Sequence, residues 1–182
     1  MIEEIELENS IEIKEILNQI CRDIIENTNS FKSASASQQE DVYKSYEVSK
    51  ESQPQLTELL NNQSIFPLSY LVAVIKGNNS GDFPPHRDYR RHESILYLHT
   101  SQVCQTNWYE IKPTTPTKRL YYTFDQITLK KSYYLEQGKF YKFDHQQVHD
   151  VKGVKDTRVS ISINLSGVTG YPKLPNFSSN QN

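Results

Sequence analysis

Two kinds of hydrophobic periodicity divide the chain. Over residues 11–27, isoleucine and leucine recur mostly at three- and four-residue steps, which predicts an amphipathic helix with Ser10 as its N-cap. Residues 54–62 predict a second, shorter helix with proline in its first turn. From residue 68 onward, short segments rich in Tyr, Val, Ile and Thr alternate with turn residues, which is typical of β-strands. The predicted strands span 68–76, 93–100, 105–111, 119–124, 127–135, 139–144, 148–152 and 158–165.

The last predicted strand separates apolar from polar positions. Apolar side chains alternate from Val159 to Leu165, and polar side chains alternate from Arg158 to Asn164, so each kind occupies one face. In a simple sandwich the polar face would meet solvent. In a barrel with helices outside, it would line the interior, as a buried site for a charged ligand requires. The pattern alone favours neither placement.

Two helices followed by about eight short strands predict a mainly β domain, an antiparallel sandwich or barrel with the N-terminal helices packed on its outer face. We expect a single domain over residues 1–166, with a helical part at 1–62 and the barrel at 66–166. Within it, the small polar residues at 30–39 predict a loop. Residues 167–182 are rich in Gly, Pro, Ser and Asn and predict a flexible tail.

Composition and charge narrow the class of protein. The 182 residues include 12 tyrosines and are 11% aromatic, which fits a folded core and excludes a disordered chain. A net charge of −2 argues against a nucleic-acid or anionic-membrane surface. The acidic start and the lack of a long apolar run predict neither a secretory signal nor a membrane span. Cys21 and Cys104 lack zinc-site spacing, so we expect buried free thiols in a cytoplasmic protein.

The candidate chemistry begins with a His-x-Asp pair, His86 and Asp88. In an extended segment, residues two apart point to the same side, so the imidazole and the carboxylate converge. His149 lies in a later predicted strand, and Arg158 follows it on the polar face of the last strand. Two histidines and a carboxylate form the facial triad of non-haem iron oxygenases, and arginine is the natural partner of a carboxylate ligand.

In their order and spacing, these motifs resemble the 2-oxoglutarate/Fe(II)-dependent dioxygenases. Residues 72–88 (VAVIKGNNSGDFPPHRD) are similar to the strand, turn and histidine motif of the branch that includes aspartyl/asparaginyl β-hydroxylases and cis-proline hydroxylases. Residues 148–165 (VHDVKGVKDTRVSISINL) resemble the distal-histidine strand and Arg-x-Ser strand of that branch. The resemblance covers 68–165, whereas residues 1–60 match only as generic helices. It implies a double-stranded β-helix, the cupin-like jelly roll.

The resemblance also implies a cofactor set and a reaction. His86, Asp88 and His149 would bind Fe(II), Arg158 would pair with the distal carboxylate of 2-oxoglutarate, and Ser160 could add a hydrogen bond. The expected enzyme is a hydroxylase, and its partner is a small-molecule or peptide substrate. The reaction would modify an amino acid or an amino-acid side chain within that substrate.

Two assignments within the candidate site stay open. His145 is a rival to His149 as the distal ligand, and we favour His149 because its spacing from the last strand fits the family. A second 2-oxoglutarate contact is expected from the strand after the His-x-Asp pair. Its candidates are Ser94, Tyr97 and His99.

The arginines beside the pair, Arg87, Arg90 and Arg91, are either an ordinary solvated loop or an anion-attracting rim that selects an acidic substrate. Two other functions also remain for the chain as a whole. One is a non-catalytic jelly-roll binding module, and the other is a jelly-roll metalloenzyme that does not use 2-oxoglutarate. The sequence does not determine the oligomeric state.

Overall fold

The structure is a computed structural model that describes residues 2–27, 43–77, 82–88, 91–100, 104–117 and 120–167. The predicted loop at 30–39 and the predicted tail beyond residue 167 lie outside these ranges. The described residues form two α-helices and ten strands, and every pair of neighbouring strands is antiparallel.

The helices are α1 (Ser10–Glu26) and α2 (Pro54–Asn61). The strands are β1 (Ile2–Ile5), β2 (Tyr43–Ser49), β3 (Ser69–Lys76), β4 (Phe83–His86), β5 (Arg91–Leu98), β6 (Gln105–Ile111), β7 (Ile127–Tyr134), β8 (Phe140–Asp144), β9 (Val148–Lys152) and β10 (Thr157–Gly167). Single 3-10 turns occupy Lys50–Ser52 and Phe124–Gln126.

The eight strands from β3 to β10 are paired like one long, wound hairpin. β6 pairs with β7, β5 with β8, β4 with β9 and β3 with β10. Successive pairs alternate between two sheets, with orders β1-β8-β5-β10-β3-β2 and β4-β9-β6-β7. This winding is that of an eight-stranded, cupin-like jelly roll, to which β1 and β2 add outer strands on the larger sheet. The predicted mainly β fold with flanking helices is confirmed.

The two faces of β10 have different environments. Its apolar side chains Val159, Ile161 and Ile163 are buried in one cluster with residues of α1 and α2, such as Leu17 and Leu56. Its polar side chains Arg158, Ser160 and Ser162 line a cavity between the two sheets. Of the two placements that the sequence left open, the structure has the barrel arrangement. The helices cover the outside of the larger sheet, and the polar face of β10 points inward.

Some element boundaries differ from the predictions. α1 begins at Ser10 and Asn9 takes the N-cap position, without a side-chain cap bond. The first 62 residues are not only helical, because β1 and β2 belong to them and extend the larger sheet. β1 has only four residues, too few to show a period, and β2 alternates polar and apolar residues in a way that sequence alone did not separate from a loop.

The predicted strand at 119–124 is wrong in the described part. Only Tyr121 forms a bridge, to His86 on β4, and a 3-10 turn begins at Phe124. Thr123 and Gln126 form a capping box that commits the chain to this turn. Conversely, β4 contains two prolines and still forms a strand, because it lies at the edge of its sheet, where missing N–H groups are tolerated. No helix among the described residues is long and apolar enough to span a membrane.

Packing of α1 on the outer face of β10 predicts a large loss of stability when Leu17 is shortened. Leu17 has no exposed surface, and Leu17→Ala is expected to lower the free energy of unfolding by about 2–5 kcal/mol through lost burial and a residual cavity. Denaturant unfolding measures the change. Glu15→Ala on the exposed side of α1 is the control, with an expected change within about 0.5 kcal/mol. Equal effects of the two substitutions would contradict this packing.

Candidate metal centre and adjoining cavity

The three predicted metal ligands come together at one end of the smaller sheet. His86 ends β4, Asp88 follows it by two residues, and His149 lies on β9 directly opposite His86 in the antiparallel register. One possible ligand atom from each side chain lies within 4.8 Å of the others. His149 is buried and the other two are partly buried. The structure thus assembles the predicted set from two strands and the residues after one of them.

Backbone carbonyls fix the orientation of both imidazoles. Nδ1 of His86 lies 2.8 Å from the carbonyl oxygen of Pro84, and Nδ1 of His149 lies 2.8 Å from that of Gln147. A carbonyl oxygen only accepts, so each Nδ1 donates its proton and each Nε2 keeps a free lone pair. Burial also lowers the pKa of both histidines, well below the ordinary value for His149. Both rings are therefore in the neutral form that binds metals.

The carboxylate of Asp88 has one occupied and one available oxygen. Oδ2 accepts from Nη2 of Arg91 at 2.7 Å and contacts Nδ1 of His145. Oδ1 lies 3.9 Å from Nε2 of His86. Burial by itself would raise the pKa of Asp88, but Arg91 and His145 together hold it well below 3.8. Asp88 is therefore ionised, with Oδ1 on the side of the His86 imidazole.

His145, the rival ligand, has both ring nitrogens engaged elsewhere. Nε2 lies 2.7 Å from Oγ of Ser94, and Nδ1 contacts Asp88. Burial, followed by the nearby Arg91, lowers the pKa of His145 to about 4. His145 thus contacts Oδ2 of Asp88 and helps to hold the carboxylate in place, as residues that contact metal ligands commonly do. Sequence reasoning weighed this residue as a ligand and missed the supporting role, which depends on the Ser94 contact across strands.

The donor set fits a divalent first-row metal. Two neutral imidazole nitrogens and one carboxylate oxygen are the ligands of the non-haem iron(II) facial triad, in which further coordination positions stay open. The imidazoles are oriented by backbone carbonyls and the carboxylate by Arg91 and His145, and metal ligands are usually held by such outer hydrogen-bond partners.

A cavity of about 50 Å³ extends from the histidines, between the sheets, to Arg158 on β10. Arg158 and Ser160, the predicted cosubstrate residues, both line it. Arg158 is only 4% exposed, and burial lowers its pKa, although its guanidinium stays charged. Within the described ranges, Nε of Arg158 has no hydrogen-bond partner and no carboxylate forms an ion pair with it. A buried cation without a counter-ion is costly, so an anion bound at this end of the cavity would stabilise the charge of Arg158.

Two of the three candidates for a second cosubstrate contact, Tyr97 and His99, point toward α1 and away from the cavity. The hydroxyl of Tyr97 donates to Oδ1 of Asn18 on α1, and Nδ1 of His99 lies 2.7 Å from the same oxygen. Alternation along β5 places Tyr97 toward the helices, whereas Leu96 lines the cavity. Ser94 is on the inner face, but its hydroxyl holds His145.

The predicted arginine rim is not formed by Arg87 or Arg91. Arg87 donates to the carbonyl of Thr117 at 2.9 Å, and its guanidinium lies over the ring of Tyr122. Arg91 points inward, to Asp88 and to Oγ of Ser162. The third member, Arg90, lies outside the described residues. The two described arginines are also not a solvated loop, because each has protein partners.

Comparisons with known proteins assign no role to the site. No family model and no curated protein matches the sequence. Among solved structures, vicilin from hazelnut (Corylus avellana) is 12% identical over 75% of this chain and 32% of its own, with a TM-score of 0.43. The coconut allergen cocosin is 13% identical over 78% and 33%, at a TM-score of 0.43, and procruciferin, an 11S globulin from Brassica napus, is 10% identical over 74% and 28%, at 0.40. This chain spans about a third of each. The strand winding described above remains the evidence for the fold.

The triad predicts one tight site for a divalent metal. Calorimetric titration of metal-free protein with Mn(II) is expected to give one equivalent bound, and His86→Ala or His149→Ala is expected to weaken binding by at least about 100-fold, because losing even an outer-shell partner costs 10–100-fold. His92→Ala, a histidine exposed on β5, is the matched control and should bind like the wild type. Unchanged affinity in the His86 and His149 variants would rule out this metal site.

Proposed function

We propose that the protein is an Fe(II)- and 2-oxoglutarate-dependent dioxygenase that hydroxylates an amino acid, or an amino-acid side chain in a small molecule or peptide. One observation carries the proposal: two of the three candidate metal ligands, His86 and His149, line the same cavity as the buried guanidinium of Arg158. A ligand that chelates a metal at one end and carries a carboxylate at the other would use both. 2-Oxoglutarate has this chemistry, and the sequence motifs resemble those of enzymes that use it.

His86 and His149 would hold the metal through Nε2, and Asp88 would hold it through Oδ1. Bound iron(II), with 2-oxoglutarate and dioxygen, supplies the oxidation that couples release of succinate and carbon dioxide to hydroxylation of a C–H bond. The chain itself contributes orientation: the carbonyls of Pro84 and Gln147 fix the imidazoles, and Arg91 and His145 fix the carboxylate.

At the other end of the cavity, Arg158 would pair with the distal carboxylate of the cosubstrate. A guanidinium can offer two parallel N–H donors to a carboxylate, and the pair is strong where water is excluded. Ser160, two residues along the same face of β10, lines the cavity and can donate a further hydrogen bond. The cosubstrate would thus supply the counter-ion that Arg158 lacks among the described residues.

A non-catalytic binding module is the second candidate function, and one observation favours it. Arg91 already balances the charge of Asp88, so the cluster does not need a cation to be electrostatically satisfied. A carboxylate ligand would then bind at Arg158 without any metal. A jelly-roll metalloenzyme that does not use 2-oxoglutarate would keep the triad but leave Arg158 without a role.

Substitution of Arg158 tests the proposal. Removing one partner of a buried charge pair costs about 2–5 kcal/mol, so Arg158→Met is expected to weaken 2-oxoglutarate binding by at least about 30-fold. The ligand-free variant should be no less stable than the wild type, because an uncompensated buried cation is replaced by an apolar side chain. Anaerobic titration with Fe(II) and 2-oxoglutarate, read as a weak visible charge-transfer absorption, measures binding. Arg22→Met, at an exposed position of α1, is the matched control.

The outcomes separate the three functions. The absorption in wild-type protein, its loss in Arg158→Met, and iron-dependent succinate formation in air with amino acids offered one at a time support the dioxygenase. Arg158-dependent binding of 2-oxoglutarate that needs no metal identifies the binding module instead. Metal binding with no affinity for 2-oxoglutarate identifies the metalloenzyme that does not use it.

A further inference from the structure

Thr106 is a buried hydroxyl in the cavity that the proposed chemistry does not yet use. It lies on β6 of the smaller sheet, is 1% exposed, and lines the same cavity as Arg158. Over the described part of the chain its Oγ1 has no hydrogen-bond partner. Leaving a buried hydroxyl without a partner is costly, so such a group calls for a partner that the described residues do not supply.

The strand pairing places Thr106 between the two ends of the cavity. Trp108 pairs with His149, and Thr106 pairs with Val151, two residues further along β9. Cys104, two residues before Thr106, interacts with the guanidinium of Arg158 through its sulfur. Thr106 therefore lies between Cys104, which is next to Arg158, and Trp108, which pairs with the candidate metal ligand His149.

Two unmatched donors thus face one cavity from opposite sheets. Nε of Arg158 on β10 and Oγ1 of Thr106 on β6 both lack a hydrogen-bond partner among the described residues. A single ligand carboxylate between the sheets, with two oxygens and several lone pairs, can satisfy both groups at once. A neutral ligand end would leave the Arg158 charge uncompensated.

We propose that the Thr106 hydroxyl is the second contact of the cosubstrate, donating a hydrogen bond to the carboxylate that pairs with Arg158. This inference rests on the proposed function. It moves the expected second contact from β5, where Tyr97 and His99 face α1, to β6 in the opposite sheet. It also makes Thr106 a determinant of specificity, because its bond is available only to 2-oxo acids with a distal carboxylate.

The experiment compares 2-oxoglutarate with 2-oxobutyrate, which has the same metal-binding end and no distal carboxylate. Binding of each acid to the Mn(II)-loaded protein is measured by calorimetry, so that no turnover interferes. Thr106→Val keeps the side-chain volume and removes the hydroxyl. It is expected to weaken 2-oxoglutarate binding by about tenfold or more, the size of one hydrogen bond to a charged group, and to leave 2-oxobutyrate binding unchanged.

Thr106→Ser restores a hydroxyl and is expected to bind 2-oxoglutarate within about threefold of the wild type. Thr128→Val, the same substitution at an exposed position of β7, is the control and should change neither affinity. If Thr106→Val does not fold by circular dichroism, Thr106→Ala takes its place with the same expectation.

Failure of this inference differs from failure of the proposed function. If Thr106→Val binds 2-oxoglutarate like the wild type while Arg158→Met does not, Thr106 makes no contact and the dioxygenase proposal stands. An equal loss for both acids would also overturn the inference, because the effect would then not depend on the distal carboxylate. If wild-type protein binds no 2-oxoglutarate, the proposed function itself is wrong.

Discussion

The antiparallel pairing of β4 with β9 is the constraint on which the candidate metal centre depends. It sets His86 opposite His149, and a shift of one residue would turn one imidazole to the other face of the sheet. β4 is short and contains two prolines, yet it is held on both sides, because the segment 120–122 bonds its outer edge through two backbone hydrogen bonds. A backbone bond from Asp88 to the carbonyl of His145 then fixes the carboxylate beside the two rings.

The same winding creates a cavity whose two ends differ in charge. At one end, Asp88 is ionised and already shares its charge with Arg91. At the other, Arg158 is a buried cation without an ion-pair partner among the described residues. The jelly roll can carry these polar groups in its interior because the largest apolar cluster lies between the larger sheet and the two helices, while smaller apolar clusters surround the cavity. One face of β10 thus packs in the main apolar core, and its other face lines the cavity.

Sequence patterns were sufficient wherever a local period decides the outcome. Alternation along β10 placed Arg158 and Ser160 on the same face, although only the resemblance gave them a role and only the structure shows that this face points inward, and the two-residue spacing of His86 and Asp88 put both side chains on one side. The same reasoning could not set the phase of β5, because only the contact with α1 shows that Tyr97 faces outward. Sequence reasoning could not single out Thr106 for a related reason. Its hydroxyl lacks a hydrogen-bond partner among the described residues, and this depends on the surrounding structure and not on its position in the sequence.

The account stands on a metal and a carboxylate sharing one cavity, and a crystal structure with Mn(II) and 2-oxoglutarate bound under anaerobic conditions tests this most directly. It should show the metal on Nε2 of His86, Oδ1 of Asp88 and Nε2 of His149, with the distal carboxylate of the ligand on Arg158. A metal bound away from these atoms, or a ligand carboxylate that leaves Arg158 without a counter-ion, would contradict it.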